Sequence, residues 1–172
     1  MTHVKNGDLQ KMSLLFDRYH KRLFGFFWHC NLEMAVCEDL VQTVFYRMIK
    51  YRESYNESLS FKTWMFALAK NAVNDEVNRS KKRVLTNEEV GKATTEAGEP
   101  DKGIVQKEQK EMLSMALNAL PEESRQILLL ARFEEMPYRE ISKMMHISEA
   151  NVKVRVYRAM RELKEVYLKL DK

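Results

Sequence analysis

The chain has 172 residues, with 29 Lys and Arg against 25 Asp and Glu, a net charge of +4 and 45% hydrophobic residues. This composition suits one or two packed domains and excludes a disordered chain. Turn signals are few, with 5 Gly and 3 Pro, which favours long helices over a sheet. No apolar run approaches the roughly 18 residues of a membrane span, and the N-terminus has no signal-peptide pattern. We therefore expect a soluble, cytoplasmic all-α protein without membrane insertion.

Three helices are predicted in the first half of the chain. Apolar residues at helical spacing indicate helices over about 8–30, 33–51 and 61–80. Between the second and third helices the period breaks, and residues 51–60 are predicted to form a loop. Ser60 is a plausible N-cap of the third helix, whose C-terminal end is strongly basic.

The middle of the chain has the composition of a linker. The apolar period disappears from Val84 to Gly103, and residues 86–103 contain three of the five glycines. Residues 84–111 carry 4 Lys and Arg against 7 Asp and Glu, whereas the segments on either side are net basic. We predict a flexible acidic linker over 84–103 that joins two small helical domains, 1–83 and 104–172.

The second half of the chain is predicted to end in a helix-turn-helix. A helical pattern resumes over about 104–118, and Pro121 fits the first turn of the next helix. Pro137 then opens a short helix over 138–145. A turn of three residues follows, and Ser148 caps the last helix, which is the spacing of a helix-turn-helix.

The last helix separates apolar from basic residues. At about 100° per residue from Val152, an arc of about 120° is expected to face inward. That arc holds the apolar residues Val156, Ala159, Met160, Leu163, Val166 and Tyr167. The remaining face holds the polar and basic residues Asn151, Lys153, Arg155, Arg158, Arg161 and Lys164.

This basic face predicts a surface that binds duplex DNA. In a helix-turn-helix the second helix enters the major groove with its first residues towards base edges. Arg can bond guanine and Asn can bond adenine, each in bidentate fashion, and Val154 could meet a thymine methyl group. The later cations are better placed for phosphates. A solvated basic face on a packing helix is the alternative interpretation.

Nothing in the sequence predicts catalysis or a bound cofactor. There is no glycine-rich phosphate loop, and no nucleophile is paired with a base at a recognisable spacing. Cys30 and Cys37 are the only cysteines, and with the scattered histidines they lack the paired spacings of zinc ligands. We expect free, partly buried thiols, no metal and no cofactor.

Three blocks of the chain resemble bacterial sigma factors, most closely the extracytoplasmic-function group. The segment "LPEESRQILLLARFEEMPYREISKMMHISEANVKVRVYRAMRELK" (120–164) resembles the fourth conserved region of that family. Upstream, "EDLVQTVFYRMIK" (38–50) is similar to the family's core-binding helix. The segment "FKTWMFALAKNAVNDEVNRSKKR" (61–83) is similar to its promoter-melting helix. The blocks occur in the family's order, and the likeness covers most of residues 9–168.

The resemblance implies a non-catalytic factor that binds core RNA polymerase and directs promoter recognition and transcription initiation. It assigns core polymerase binding to the second helix, at Asp39, Gln42, Thr43, Tyr46 and Arg47. It assigns binding of the opened −10 element to the loop and third helix, at Tyr55, Asn56, Asn71, Asn74, Asp75, Asn78, Arg79, Lys81, Lys82 and Arg83. Together with the helix-turn-helix spacing, it assigns −35 binding to Ser148, Glu149, Asn151, Lys153, Val154, Arg155 and Arg158.

Some positions depart from the family or admit two interpretations. The family often has an acid where Thr43 stands, and many members have glycine where His146 stands. Histidine is among the residues enriched at positive φ, so we expect the turn to tolerate it. Trp64 invites a role in base stacking, but its place in the apolar period favours the core.

The resemblance also implies partners beyond the polymerase and promoter DNA. Family members are commonly held inactive by an anti-sigma factor, so we expect one here. The family's linker runs through the polymerase towards the RNA exit path, which suits an acidic segment, although a solvated tether explains the charge equally well. The alternative function is a conventional dimeric helix-turn-helix regulator that binds duplex DNA. It explains 120–164 but leaves the first 83 residues without a defined role.

Overall fold

The protein is built from helices, without strands, over the residues that its computed structural model describes, which are 1–85 and 104–171. The side chains of residues 84, 85, 104–107 and 110 lie outside this description. The chain divides into two compact units. The first comprises Met1–Trp28 and Leu32–Thr95, and the second comprises His29–Asn31 and Glu96–Lys172. The predicted all-α, two-domain fold is confirmed.

The described part of the first unit contains four helices and two short 3₁₀ turns. They are α1 (Thr2–Lys5), a 3₁₀ turn (Leu9–Lys11), α2 (Met12–His29), α3 (Met34–Lys50), a 3₁₀ turn (Arg52–Ser54) and α4 (Phe61–Leu85). The prediction for the second helix is confirmed to within one residue at each end. The predicted start of the first helix at residue 8 is wrong. Gly7 has φ of 102°, outside the helical region, and the chain makes a 3₁₀ turn before α2 begins.

The core of the first unit forms where α3 packs against α4. The buried residues of α3 recur at helical spacing, and they are Cys37, Leu40, Val41, Val44, Phe45 and Met48. Ser60 precedes α4, and its Oγ accepts a hydrogen bond from the backbone N–H of Thr63 at 3.2 Å, which satisfies one free donor of the helix start as predicted. Helix α4 continues to Leu85, five residues beyond its predicted end. Residues 84 and 85 are therefore helical, and the rest of the predicted linker lies outside the described residues.

Four α-helices lie in the part of the second unit that the structure describes. They are α5 (Ile104–Asn118), α6 (Glu122–Leu128), α7 (Tyr138–Met145) and α8 (Glu149–Leu170). Helix α8 packs against the other three, and its first half contributes the fully buried residues Val152, Val156 and Ala159. No helix in the described ranges is long and apolar enough to cross a membrane.

Helix α6 ends in a π-helical turn, Leu129–Phe133, that the sequence did not predict. The backbone N–H of Glu134 donates to the carbonyl of Leu129 at 2.9 Å, which is a bond five residues back along the chain. Glu135 follows with φ of 50°. The wider turn ends the helix and leads the chain to Pro137, which precedes α7.

The turn between α7 and α8 is left-handed at His146, with φ of 55° and ψ of 41°. Residues 146–148 form this turn, as predicted, and it ends at Ser148. The Ser148 side chain accepts a hydrogen bond from the backbone N–H of Asn151 at 3.2 Å, which confirms the predicted N-cap.

Replacing His146 with glycine is expected to raise the free energy of unfolding of the second unit by about 0.5–1 kcal/mol, because glycine adopts this conformation without a Cβ penalty. Urea denaturation followed by circular dichroism measures the change. Lys143→Gly, in the exposed interior of α7, is the control and should instead lower stability by about 1 kcal/mol. A loss of stability in His146→Gly would contradict the prediction.

Candidate nucleic-acid interface

The first half of α8 exposes the face that the sequence predicted to bind DNA. Of the predicted −35 residues, Ser148, Glu149, Asn151, Lys153, Val154 and Arg158 are exposed and Arg155 is partly buried. Val152, Val156 and Ala159 face the interior, as predicted. Met160 is exposed, so its predicted inward position is wrong. The inward arc is therefore narrower than predicted at this point of the helix.

Hydrogen bonds hold Arg155 in place on this face. Its Nε donates to Oδ1 of Asn151, one helical turn earlier, at 3.1 Å. Its Nη1 donates to Oε2 of Glu123, in the first turn of α6, at 3.3 Å. Within the predicted −35 set, Arg155 is thus hydrogen-bonded to another helix of the unit, α6. Glu123 had no role predicted from the sequence.

Tyr157 is a further candidate that the sequence analysis missed. Its side chain is 70% exposed, and it lies one helical turn after Val154 and Lys153 on the same helix. A tyrosine can contact both apolar base edges and phosphates, through its ring and its hydroxyl group. The helical spacing places Tyr157 outside the apolar arc, so a signal was present in the sequence. The pattern of cations that indicated this face does not include an uncharged tyrosine.

The predicted −10 residues of α4 lie on one accessible side of the helix. Asn71, Asp75, Asn78, Arg79, Lys81, Lys82 and Arg83 are exposed, and Asn74 is partly buried. Val73 and Ala72 face the interior of the unit. One acid, Glu76, accepts a hydrogen bond from Arg79 at 3.0 Å. The exposed end of α4 is therefore basic and rich in amide groups, which suits contacts with phosphates and base edges.

The two loop candidates for the −10 element differ in accessibility. Tyr55 is 7% exposed, and its ring meets the rings of Trp64 and Phe61 edge to face at 5.3 Å and 6.3 Å between centroids. Burial, and to a smaller extent the charge of Glu57, raises the pKa of the Tyr55 hydroxyl. Asn56 is exposed, and its Oδ1 accepts the backbone N–H of Ser58 at 2.9 Å. In this conformation Asn56 is accessible to a base, whereas the Tyr55 ring is part of an aromatic cluster.

The predicted polymerase-binding residues lie opposite the buried face of α3. Asp39, Gln42 and Tyr46 are exposed, with Tyr46 at 64%, while Thr43 and Arg47 are partly buried. At about 100° per residue these five positions span an arc of about 140°. The arc is continuous and centred away from the residues that pack on α4.

A salt bridge connects this face of α3 to α4. Nη2 of Arg47 donates to Oδ2 of Asp75 at 2.8 Å, and both residues line a shallow cleft together with Asn71 and Asn74. The structure therefore brings a predicted polymerase-binding residue, Arg47, against a predicted DNA-binding residue, Asp75. Sequence reasoning placed the two in separate sites, because their separation of 28 positions hides the contact.

The two cysteines are free thiols, as predicted, but both are buried and not partly buried. Burial, with the charge of Glu38 as a smaller cause, raises the pKa of Cys37 to about 12. The Cys37 thiol is therefore protonated at neutral pH and is a poor nucleophile and metal ligand. Within the described ranges no group of three or more His, Cys, Asp or Glu residues is arranged to hold a metal ion.

Comparison with protein families gives two matches that follow the two halves of the chain. Residues 15–83 match the family described as Sigma-70 region 2. Residues 110–163 match the family described as Sigma-70, region 4. The first match includes α3 and most of α4, and the second includes the helix-turn-helix.

Curated relatives match over nearly their whole length. The ECF RNA polymerase sigma factor SigM of Bacillus subtilis (strain 168) is 32% identical over 154 residues, which are 89% of this chain and 93% of SigM. The ECF RNA polymerase sigma factor SigW of the same organism is 22% identical over 171 residues, with 94% of this chain and 91% of SigW covered.

Solved structures with the same fold include two protein complexes. One is the sigma factor RpoE in complex with the anti-sigma factor NepR from Bartonella quintana, with a TM-score of 0.76 and 19% identity over 95% of this chain and 99% of that chain. The other is CnrH in complex with the cytosolic domain of CnrY, with a TM-score of 0.74 and 16% identity over 99% and 96% of the two chains.

Proposed function

Because the chain belongs to the extracytoplasmic-function (ECF) sigma factors of RNA polymerase, we propose that its two helical units divide the recognition of a promoter between them. As a member of that family it is a non-enzymatic transcription initiation factor that binds core RNA polymerase and promoter DNA. We assign the binding of core polymerase, of the −10 element and of the −35 element to three separate surfaces. The observation that carries it is the exposed polar face of α8, which follows a capped helix-turn-helix turn.

Core RNA polymerase binds along the outer face of α3 in this proposal. Asp39, Gln42 and Tyr46 are accessible there, and Thr43 and Arg47 border them. The arc carries an exposed tyrosine and polar groups of both signs, a composition found at energetically important protein contacts. Residues 1–83 are thus assigned to polymerase binding and to the −10 element.

The opened −10 element binds along α4 and the preceding loop. Phosphates are contacted by the cations Arg79, Lys81, Lys82 and Arg83. The bases are faced by a second set, whose members contact a base or hold a neighbouring side chain that does: Asn71, Asn74, Asp75 and Asn78. Asn56 contributes to the base pocket from the loop, and Tyr55 forms part of its wall from within the aromatic cluster. This assignment gives the basic end of α4 a polyanionic ligand.

The −35 element binds in duplex form against the start of α8. Ser148, Glu149, Asn151, Lys153, Val154, Arg155 and Arg158 form the proposed contact surface, with Tyr157 as an addition. The first helical turns face base edges, and the later cations face phosphates. Residues 104–172 are thus assigned to the −35 element, and the predicted linker, 84–103, joins the two parts.

An anti-sigma factor is proposed as the regulator of this protein. One protein of similar structure is described in complex with an anti-sigma factor, and another in complex with the cytosolic domain of a second protein. The similarity in fold supports a comparable partner here. We also assign the protein to the cytoplasm, where core RNA polymerase acts. The conventional dimeric regulator is not favoured, because the match of residues 15–83 to sigma region 2 accounts for the first unit.

In vitro transcription with core RNA polymerase on a genomic fragment library tests the proposed function. New start sites are expected only when this chain is added, each preceded by two unlike elements at a constant separation. A pull-down with core polymerase checks assembly directly. Failure to bind core polymerase, or a footprint confined to a palindrome on free duplex, would refute the proposal.

At the residue level, Arg155→Ala is expected to weaken promoter use about tenfold, and to do so selectively at the upstream element, because a bidentate contact with guanine discriminates between base pairs by about 1–3 kcal/mol. Transcription from templates with single changes in each element measures the selectivity. An equal loss on every template would show that Arg155 contacts only phosphate.

A further inference from the structure

Glu123 occupies an unusual place for an acid, beside the face of α8 that is assigned to DNA. It lies in the first turn of α6, and its Oε2 accepts from Nη1 of Arg155 at 3.3 Å, across 32 positions of sequence. Arg155 also donates from Nε to Oδ1 of Asn151 at 3.1 Å. Two acceptors on two helices therefore hold one guanidinium group.

Stability does not account for this pair. The Arg155 side chain is 39% exposed and the Glu123 side chain 83% exposed, and ion pairs this open to solvent contribute little to folding. An acid beside a DNA surface also repels phosphates and lowers the affinity for every sequence. The remaining effect of the Glu123 carboxylate is to orient the Arg155 side chain. A fixed orientation favours one base contact and does not raise the affinity for DNA in general.

The two hydrogen bonds fix the plane of the guanidinium group and leave part of it open. They engage Nε and one N–H of Nη1, so two of the five N–H groups of Arg155 are used. In the described part of the chain, Nη2 of Arg155 makes no hydrogen bond. Nη2 and the second N–H of Nη1 therefore remain as donors, and arginine bonds O6 and N7 of guanine through a parallel pair of donors. An arginine already held in one orientation loses less freedom when it binds.

We propose that Glu123 is a positioning residue for sequence recognition: together with Asn151 it holds the Arg155 guanidinium in the orientation from which Arg155 contacts one base pair of the upstream promoter element. The inference rests on the proposed function and deepens it, since it names a residue outside the helix-turn-helix that determines specificity. In this proposal, Glu123 affects the recognition of one base pair only, the one that Arg155 contacts.

The test uses the full chain assembled with core RNA polymerase. Duplex DNA randomised over the upstream element is selected with the wild-type holoenzyme, and binding is then measured on templates that each change one base pair. Glu123→Gln should reduce discrimination about fivefold at the base pair where Arg155→Ala abolishes it, and leave discrimination elsewhere unchanged. In the double variant, Glu123→Gln should add no further loss at that base pair, because the two residues act as one unit.

The neighbouring acid provides a matched control. Glu122 lies in the same turn of α6 and accepts a hydrogen bond from Gln126 at 2.9 Å instead of from Arg155. Glu122→Gln removes the same charge and should change binding on all templates by one common factor, without loss of discrimination. Thermal unfolding followed by circular dichroism verifies that each variant is folded.

The outcomes separate the inference from the function on which it rests. If Glu123→Gln, like Glu122→Gln, alters binding equally on all templates, its carboxylate acts only through its charge and the inference is overturned. If the wild-type holoenzyme selects no upstream motif, the proposed function fails and the inference fails with it. A loss confined to one base pair, shared with Arg155→Ala, supports both.

Discussion

Replacing Arg125 with alanine is expected to lower the free energy of unfolding of the second unit by about 3–5 kcal/mol, the largest effect on stability that we predict. Arg125 belongs to α6, and its side chain is buried against the end of α5, at 8% exposure. Its Nε donates to the carbonyl of Leu117, and its Nη2 donates to the carbonyls of Asn118 and Leu120, each at 2.9 Å. Its Nη1 also donates to the carbonyl of Cys30 at 2.8 Å. Alanine would remove all four bonds at once.

The physical reason is the end of α5. The last four carbonyl groups of a helix have no partner within it, and the negative end of the helix dipole lies there. Arg125 supplies both donors and a positive charge to this end. Burial lowers the pKa of Arg125, but a guanidinium group remains charged in proteins. Without it, the carbonyls of Asn118 and Leu120 would lose the Arg125 donor. The carbonyl of Leu117 would keep only the backbone N–H of Leu120, at 3.1 Å.

Two spectroscopic probes can assign the loss to the second unit. Both tryptophans, Trp28 and Trp64, belong to the first unit, so fluorescence reports on that unit while circular dichroism reports on all helices. In urea, Arg125→Ala should show an early loss of helical signal with little change in the fluorescence midpoint. Arg125→Lys should recover only part of the stability, because a lysine has no fixed fork of donors with which to reach all four carbonyls.

Arg132→Ala is the matched control, since Arg132 is exposed and lies in the adjoining π-helical turn. It should change stability by less than about 0.5 kcal/mol. Equal denaturation curves for Arg125→Ala and Arg132→Ala would contradict the role of Arg125 at the end of α5.

Arg125 also illustrates why the sequence predicted the helices better than the contacts between them. Helical period and capping residues are local, so α3 and the Ser148 cap were predicted closely from the sequence alone. A charged residue is ordinarily taken as exposed, and nothing near Arg125 in the sequence indicates that it is buried against the end of another helix. The pairs Glu123–Arg155 and Arg47–Asp75 depend in the same way on packing between helices.

The apolar period of the sequence also predicted that more of α8 is buried by the other helices than the structure shows. Met160 lies in the apolar arc by angle and yet is exposed, because the helices that pack on α8 cover the first turns more completely. Val152, Val156 and Ala159 are fully buried, whereas Leu163, Val166 and Tyr167 are only partly so. A helical projection gives the direction of a side chain but not the extent of the surface that covers it. The π-helical turn was missed for a related reason, since apolar spacing does not distinguish a bond five residues back along the chain from one four residues back.

Replacing Tyr46 with alanine is expected to weaken binding to core RNA polymerase about 30-fold, the largest functional effect that we predict. Tyr46 is 64% exposed at the middle of the proposed contact arc of α3, between Gln42 and Arg47. Exposed tyrosines at the centre of an interface often account for 2 kcal/mol or more when truncated, because a large rigid ring is desolvated on binding. Titration of labelled core polymerase with the purified chain measures the dissociation constant.

Leu14→Ala separates this effect from a general loss of exposed apolar surface. Leu14 is 60% exposed on α2, in the same unit, but lies outside the proposed contact arc. It should leave the dissociation constant within about twofold, and neither variant should shift the thermal midpoint, because neither side chain is part of the core. Since the proposed −35 surface lies in the other unit, a Tyr46→Ala holoenzyme assembled at saturating concentration should select the same upstream motif as the wild type. A Tyr46→Ala chain that binds core polymerase as tightly as wild type would instead exclude the outer face of α3 as the principal contact.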